Sequence, residues 1–167
     1  MYTIKNILVT TDFSEYSASA LDHALSLAEL HHANVHLLHV IEERPVLPRR
    51  KAEAESGTSR KEREASARRQ MSKFIYEHVD EFTSIQEAIR CGTPHVEFIR
   101  YAKEQKIDLI VIATHGRTGV SHIVMGSVAE RVVRFSPVPV LTVKPAAVLE
   151  RLVTDDELIH DLHIPHS

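Results

Sequence analysis

Short runs of apolar and β-branched residues recur along the chain, and longer segments of mixed polarity separate them. Continuous apolar runs of this kind are typical of strands that are buried on both faces of a parallel sheet. The pattern predicts five strands, at residues 5–11, 34–42, 84–91, 108–114 and 138–144.

The segments between the strands have the spacing of helices. After the first strand, apolar residues recur at helical intervals, at Ala18, Leu21, Leu25 and Ala28. Ser14 precedes this pattern and has the side chain of a good N-cap, so a helix is predicted to begin after it. Further helices are predicted at residues 59–82, 94–105 and 126–136, the second of them opened by Pro94.

The alternation of strands and helices predicts the α/β class. We expect a single doubly wound domain with a five-stranded parallel sheet in the order 3-2-1-4-5 and helices on both faces. Ligands of such sheets enter a crevice beyond the carboxyl ends of the strands, where the strand order reverses. In this order the crevice lies between strands 1 and 4. The segments that border it are Thr10 to Asp12 and residues 113–127, here called the glycine loop.

Composition narrows the function classes. With 167 residues, of which 43% are hydrophobic and 26% charged, the chain is expected to form one globular unit. A net charge of -3, 5% aromatic residues and no Trp argue against nucleic acid as a partner. Cys91 is the single cysteine. Because no secretory leader or apolar run of membrane length is evident, we predict a cytoplasmic protein without membrane association.

The glycine loop, ATHGRTGVSHIVMGS, has the chemistry of a phosphate site. Glycines let backbone N–H groups approach an anion closely, and the helix predicted to open at Ser127 directs its positive end to the same space. Ser127 is expected both to cap that helix and to donate a hydroxyl hydrogen bond to phosphate, and Arg117 adds a cation. The GxxxxGK[ST], GxGxxG and SGG-type loops are absent, which disfavours P-loop enzymes, Rossmann dehydrogenases and ATP pyrophosphatases.

The same loop resembles the GxxGx9G[ST] signature of the ATP-binding universal stress proteins. Gly116 is followed by the required spacer and then by Gly126 and Ser127. The segments VAERVVRFSPVPVLTVKP, after the loop, and TTDFSEYSASAL, after the first strand, are similar to the same family. The likeness covers residues 1–145 and implies a nucleotide-binding domain there. Residues 146–167 are expected to form a C-terminal extension.

The resemblance implies a role for each matching position. Asp12 would bind the ribose hydroxyls and Val40 would pack near the adenine, while Ile112 and Ala113 would line the base and ribose side. The phosphates would be held by Gly116, Arg117, Gly126, Ser127 and the backbone N–H of Val128. The implied ligand is ATP, with or without Mg²⁺, and AMP or ADP would share the adenosine contacts.

Some of these positions also have purely structural interpretations. Asp12 could cap the first helix, and the glycines could serve only to shape a turn. Ala113 stands where the family has its first motif glycine. A position that needs a positive φ would strain alanine, whereas one that needs only a small side chain would accept it.

The resemblance indicates a stress-response regulator that binds ATP and acts through its conformation or its dimer surface on an unidentified protein partner. A nucleotide-free interaction module of the same fold is one alternative, and slow ATP hydrolysis or self-phosphorylation is another. An efficient enzyme is not expected, because the sequence holds no dedicated catalytic apparatus. Near the crevice the candidate groups are Asp12, His115, His122 and Ser127.

Three features beyond this site carry further predictions. Residues 44–73 hold ten of the twenty Lys and Arg, and their mixed charge signs favour a solvated surface over a basic patch for RNA or acidic lipid. The tail from residue 146 contains His160, His163 and His166, but Pro165 interrupts the helix that would align them for a metal ion. The uncharged last strand, residues 138–143, is predicted to form a homodimer edge, as the resemblance also implies.

Overall fold

A computed structural model of the chain describes residues 3–43, 59–80, 84–114 and 125–144. Within these ranges the strands are β1 (Asn6–Thr11), β2 (Asn34–Glu42), β3 (Ile85–Gly92), β4 (Leu109–Ala113) and β5 (Val140–Val143). The helices are α1 (Glu15–His31), α2 (Arg60–His78), α3 (Pro94–Glu104) and α4 (Ser127–Phe135). Strands and helices therefore alternate as the hydrophobic pattern predicts.

The five strands form one parallel sheet in the order β3-β2-β1-β4-β5. β1 lies at the centre, where Ile7 is in register with Val35 of β2 on one side and Leu109 of β4 on the other. The predicted doubly wound α/β class and its strand order are thus confirmed. The strand order reverses at β1, so a crevice is expected beyond its carboxyl end.

Two hydrophobic clusters cover the two faces of this sheet. Successive side chains of a strand point to opposite faces, so Val9 belongs to one cluster and Leu8 to the other. The first cluster contains Leu21 of α1 and Met71 of α2. The second contains residues of α3 and α4. The central strands β1 and β4 are therefore buried on both faces, which explains why they read as continuous apolar runs.

The helix boundaries follow from local capping. Ser14 is the N-cap of α1, as predicted, and its side chain accepts a hydrogen bond from the Ser17 N–H. Ser59 and Glu62 form a reciprocal capping box at the start of α2. That helix ends at His78, earlier than the predicted residue 82, because Val79 takes an extended conformation.

The last strand is shorter than predicted and begins at Val140 instead of residue 138. The preceding residues form a turn in which the Ser136 hydroxyl donates to the Val138 carbonyl and accepts from the Val138 N–H, at 2.6 and 3.1 Å. Pro139 follows, and proline has no N–H to contribute to a strand ladder. The turn and the proline together delay the start of β5.

His36 on β2 is buried on the face that α3 covers. Its Nδ1 lies 3.0 Å from the Tyr101 hydroxyl, and the two rings meet edge to face. Burial lowers the pKa of His36 and raises the pKa of Tyr101. Both shifts favour the neutral forms of the pair, as expected for polar groups in an apolar layer.

We expect the free energy of unfolding to decrease as the pH falls below about 6.5, in part because of His36. In that window the unfolded chain binds a proton at this residue that the folded chain resists, so acid favours unfolding. Urea unfolding at about pH 7.5 and about pH 5.5 measures the effect. The loss of stability should be smaller in His36→Gln than in the wild type, and equal losses would contradict this assignment.

Candidate functional site

A cavity of about 300 Å³ opens beyond the carboxyl ends of β1, β2 and β4. It contains the seven predicted site positions that the structure describes, which are Asp12, Val40, Ile112, Ala113, Gly126, Ser127 and Val128. These residues come from three strand ends and the start of one helix. The sheet thus brings together the segments that the strand order predicted to border a crevice.

The carboxylate of Asp12 lies directly after the central strand. Its Oδ1 accepts hydrogen bonds from both the backbone N–H and the hydroxyl of Ser14. Ser14, and not Asp12, is the N-cap of α1. Capping of the first helix, the structural alternative for Asp12, is therefore performed by its neighbour, and Asp12 lines the cavity instead.

The loop between β1 and α1 holds Asp12 between two restrained residues. Phe13 has a φ of 64°, which a bulky side chain rarely adopts and which costs on the order of 1–3 kcal/mol. Three contacts offset this strain: the Phe13 N–H donates to Thr11 Oγ1 at 2.9 Å, and its ring meets the rings of His39 and Phe74. Thr11 Oγ1 is also 2.9 Å from the buried hydroxyl of Ser17.

The other side of the cavity is the start of α4, where Gly126 is the N-cap. The expectation that Ser127 caps this helix is wrong, because Ser127 is its first helical residue. The Gly126 N–H donates to the Thr114 carbonyl at 2.7 Å, and a Cβ at Gly126 would lie only 3.1 Å from that oxygen. Glycine thus leaves room for this close backbone approach, and its φ of -57° is ordinary.

The first turn of α4 presents backbone donors to the cavity. The first hydrogen bond that closes this turn runs from the Glu130 N–H to the Gly126 carbonyl. The N–H groups of Ser127, Val128 and Ala129 precede it and have no acceptor within the helix. These three residues line the cavity. Together with the positive end of the helix dipole, they form an environment suited to an anion.

Another wall of the cavity is apolar. Val40 and Ile112 come from strands on either side of β1, and both belong to the cluster beneath α3 and α4. Pro94 and Phe98 of α3 complete this wall. Such a surface suits a flat, weakly polar group more than a charged one.

Ala113 ends β4 and is buried, with 9% of its surface exposed. Among the non-glycine residues that the structure describes, positive φ angles occur only at Phe13, His32 and Lys106. Alanine at position 113 is therefore unstrained, and the position accepts a small side chain. The departure from the family's motif therefore introduces no backbone strain at this position.

The middle of the glycine loop lies outside the described residues. This applies to Gly116, Arg117, His115 and His122, whose roles stay predictions. Residues 44–58, the first part of the segment rich in Lys and Arg, and the tail from residue 146 also lie outside the described ranges. Among the residues that are described, no three His, Cys, Asp or Glu side chains are grouped to hold a metal ion. The described helices include none that is both long and apolar enough to cross a membrane.

Sequence reasoning missed several residues that line the cavity, among them His39, Glu42, Pro94 and Phe98. Parallel register explains the position of three of them. Glu42 at the end of β2 pairs with Gly92 at the end of β3, so the start of α3 is brought to the same edge of the sheet. That pairing joins residues far apart in the sequence, and no local pattern specifies it. His39 could have been found from the sequence, because it directly precedes Val40, a predicted site residue.

The fold and the cavity define a doubly wound α/β protein with a crevice at its topological switch point. The profile of the universal stress protein family matches residues 3–144. Universal stress protein MJ0577 of Methanocaldococcus jannaschii is 32% identical over 153 residues, covering 84% of this chain and 94% of that relative. This chain belongs to the universal stress protein family.

Solved structures agree with this placement. The structure of MJ0577 matches with a TM-score of 0.72 at 34% identity and covers 86% of this chain and 97% of that one. A universal stress protein solved in complex with cAMP matches at 22% identity with a TM-score of 0.62, covering 84% of this chain and 97% of that one. One from Archaeoglobus fulgidus, solved in complex with dAMP, matches at 19% identity with a TM-score of 0.61, covering 85% and 98%. At 22% and 19% identity, the likeness to the last two structures concerns the fold.

Proposed function

We propose that this chain binds an adenine nucleotide, ATP in the first place, in the cavity beyond β1, β2 and β4. The observation that carries the proposal is the order of chemistry across the sheet. Val40 near the carboxyl end of β2 contributes to an apolar wall, Asp12 after β1 supplies a carboxylate, and the N-terminus of α4 lies beyond β4. A base, a ribose and phosphates need these three environments in the same order.

In this proposal the adenine packs against Val40 and Ile112, and Asp12 accepts hydrogen bonds from the ribose hydroxyls. The phosphates bind the start of α4 beside Gly126, through Ser127 and the backbone N–H groups of Val128 and Ala129. From the family resemblance we add Gly116 and Arg117 to the phosphate side. AMP and ADP would make the same adenosine contacts, and Mg²⁺ would accompany ATP through its phosphate oxygens.

Two observations support an adenine nucleotide over other anions. The apolar wall would have no role in binding inorganic phosphate alone. In addition, members of the family have been solved with cAMP and with dAMP, so the shared fold is able to hold adenosine phosphates. We further propose that the bound nucleotide regulates the protein in the stress response, by changing its conformation or dimer surface for a protein partner.

The direct test is calorimetric titration of MgATP into nucleotide-free protein. We expect saturable binding of about one nucleotide per subunit. Asp12→Asn should weaken it by roughly tenfold to a hundredfold, because a hydrogen bond to a charged group contributes about 1.5–3 kcal/mol. Asparagine can still accept the hydrogen bonds from Ser14, so the loop should be retained.

Asp22→Asn is the matched control, since Asp22 is exposed on α1 and does not line the cavity. Its affinity for MgATP should equal that of the wild type. Absence of saturable binding to the wild type, for ATP, ADP and AMP alike, would overturn the proposal. The nucleotide-free interaction module would then be the better description.

A further inference from the structure

His39 contacts both residues that flank Asp12. It lies on β2 in register with Thr11 of β1 and lines the cavity. Its Nδ1 is 2.8 Å from the Thr11 carbonyl oxygen. Its ring is stacked on that of Phe13, with centroids 4.3 Å apart and planes inclined by 28°. One half-buried side chain thus restrains the residue before Asp12 and the residue after it.

The hydrogen bond to Thr11 shows that the Nδ1 of His39 carries a hydrogen. A carbonyl oxygen only accepts hydrogen bonds, so the Nδ1 of His39 carries a hydrogen and donates it. The stacked ring of Phe13 belongs to a residue with a left-handed backbone, which persists only where its surroundings enforce it. The donor of His39 therefore holds the end of β1, and its ring supports the unusual backbone of the loop.

We propose that His39 is a positioning residue of the nucleotide site. By holding Thr11 and Phe13 it keeps the Asp12 carboxylate in the place from which it meets the ribose. This inference rests on the proposed function and deepens it, because it assigns the placement of the ribose-binding carboxylate to a side chain on a neighbouring strand.

Two substitutions separate the two contacts. His39→Asn places an amide N–H close to the position of Nδ1, so the hydrogen bond to Thr11 is retained and the ring is lost. His39→Phe retains a ring for Phe13 and removes the donor. His36→Gln is the matched control, because His36 lies on the same strand, contacts Tyr101 on the opposite face and is absent from the cavity lining.

The first readout is amide hydrogen exchange of the nucleotide-free protein. The N–H groups of Phe13 and Ser14 donate to side chains within the loop, to Thr11 Oγ1 and Asp12 Oδ1. Both amides should exchange roughly tenfold faster in either His39 variant, relative to amides elsewhere in β1 and α1. In His36→Gln the ratio should stay at its wild-type value.

The second readout is ribose selectivity, measured as the ratio of the Kd for 2′,3′-dideoxy-ATP to the Kd for ATP. In the wild type and in His36→Gln this ratio should be well above one. In the His39 variants it should fall several-fold toward one, because a displaced carboxylate gains less from the hydroxyls. A residue with a merely structural role would lower the stability and leave the ratio unchanged.

The outcomes distinguish this inference from the proposed function. Unchanged exchange at Phe13 and Ser14 in both His39 variants, or an unchanged selectivity ratio, would overturn the positioning role. If the wild type binds no ATP, the proposed nucleotide function is overturned, even where the His39 variants exchange faster. The two results are separable because amide exchange is measured without a ligand.

Discussion

Gly126→Asp is expected to abolish nucleotide binding while the protein remains folded. Gly126 is the N-cap of α4 and makes no side-chain capping hydrogen bond. Aspartate is among the best N-cap residues, because its carboxylate accepts from the backbone N–H groups of the first turn. Those groups belong to Val128 and Ala129, which line the cavity. The new carboxylate would therefore occupy the proposed phosphate position itself.

The expected loss is large because two effects act together. Each N–H group that the carboxylate takes removes a hydrogen bond to phosphate, and two such bonds contribute about 3 kcal/mol or more, which is roughly a hundredfold in Kd. The added negative charge then repels the phosphates at close range. A Cβ at this position also meets the Thr114 carbonyl at 3.1 Å, so the start of the helix must shift slightly.

Gly126→Asn is the matched control, because asparagine has the shape and capping capacity of aspartate without the charge. We expect it to weaken MgATP binding less than Gly126→Asp does, and both variants to unfold at temperatures near that of the wild type. Titration calorimetry and thermal unfolding measure the two effects. Wild-type affinity in Gly126→Asp would show that the start of α4 does not bind the phosphates.

The sequence predicted the strands and the polar residues near their ends because both depend on local patterns, and the strand order followed from the doubly wound class that the alternation of strands and helices indicates. The burial of β1 and β4 on both faces produces apolar runs, and the parallel connections limit the possible topologies. Asp12 could be located because it follows β1, and Gly126 because it precedes α4. The hydrophobic pattern sets the positions of both elements. The roles of these residues came from the resemblance to the family.

Other parts of the site depend on contacts between distant residues. The stack of His39 on Phe13 joins two strands, and the approach of Gly126 to Thr114 crosses the glycine loop. The capping residue of α4 was misassigned for the same reason: serine is the better N-cap by propensity, but the N-cap residue approaches the Thr114 carbonyl closely, which favours glycine at that position. Tertiary packing decided what propensity could not.

The second large effect is expected at the edge of the sheet that β5 forms, where we expect two chains to associate. β5 is an edge strand, and Leu141 on it and Val133 and Phe135 on the adjacent α4 are 36%, 47% and 58% exposed. Apolar side chains beside an edge strand commonly mark a surface that pairs with another chain. We expect the protein to be a homodimer in solution through residues 138–143, as the sequence predicted.

Thr142→Pro is expected to convert that dimer to folded monomers. The carbonyl of Pro139 accepts a hydrogen bond from the Ile110 N–H in β4, and that of Val143 accepts one from the Thr114 N–H just after β4. Because backbone groups alternate in direction along a strand, the N–H of Thr142 points to the outer edge, where a partner strand would accept it. Proline removes this donor and leaves the ladder with β4 intact, which is why proline is tolerated at such positions.

In a two-fold symmetric interface the substitution removes one hydrogen bond from each chain. An unsatisfied partner carbonyl costs about 1–3 kcal/mol, so the dimer dissociation constant should rise by roughly a hundredfold. Analytical ultracentrifugation at micromolar concentration should show a dimer for the wild type and for Thr142→Val, which retains the donor. It should show a monomer for Thr142→Pro, with circular dichroism unchanged. A dimer that persists in Thr142→Pro would place the interface elsewhere on the protein, away from the ladder of β5.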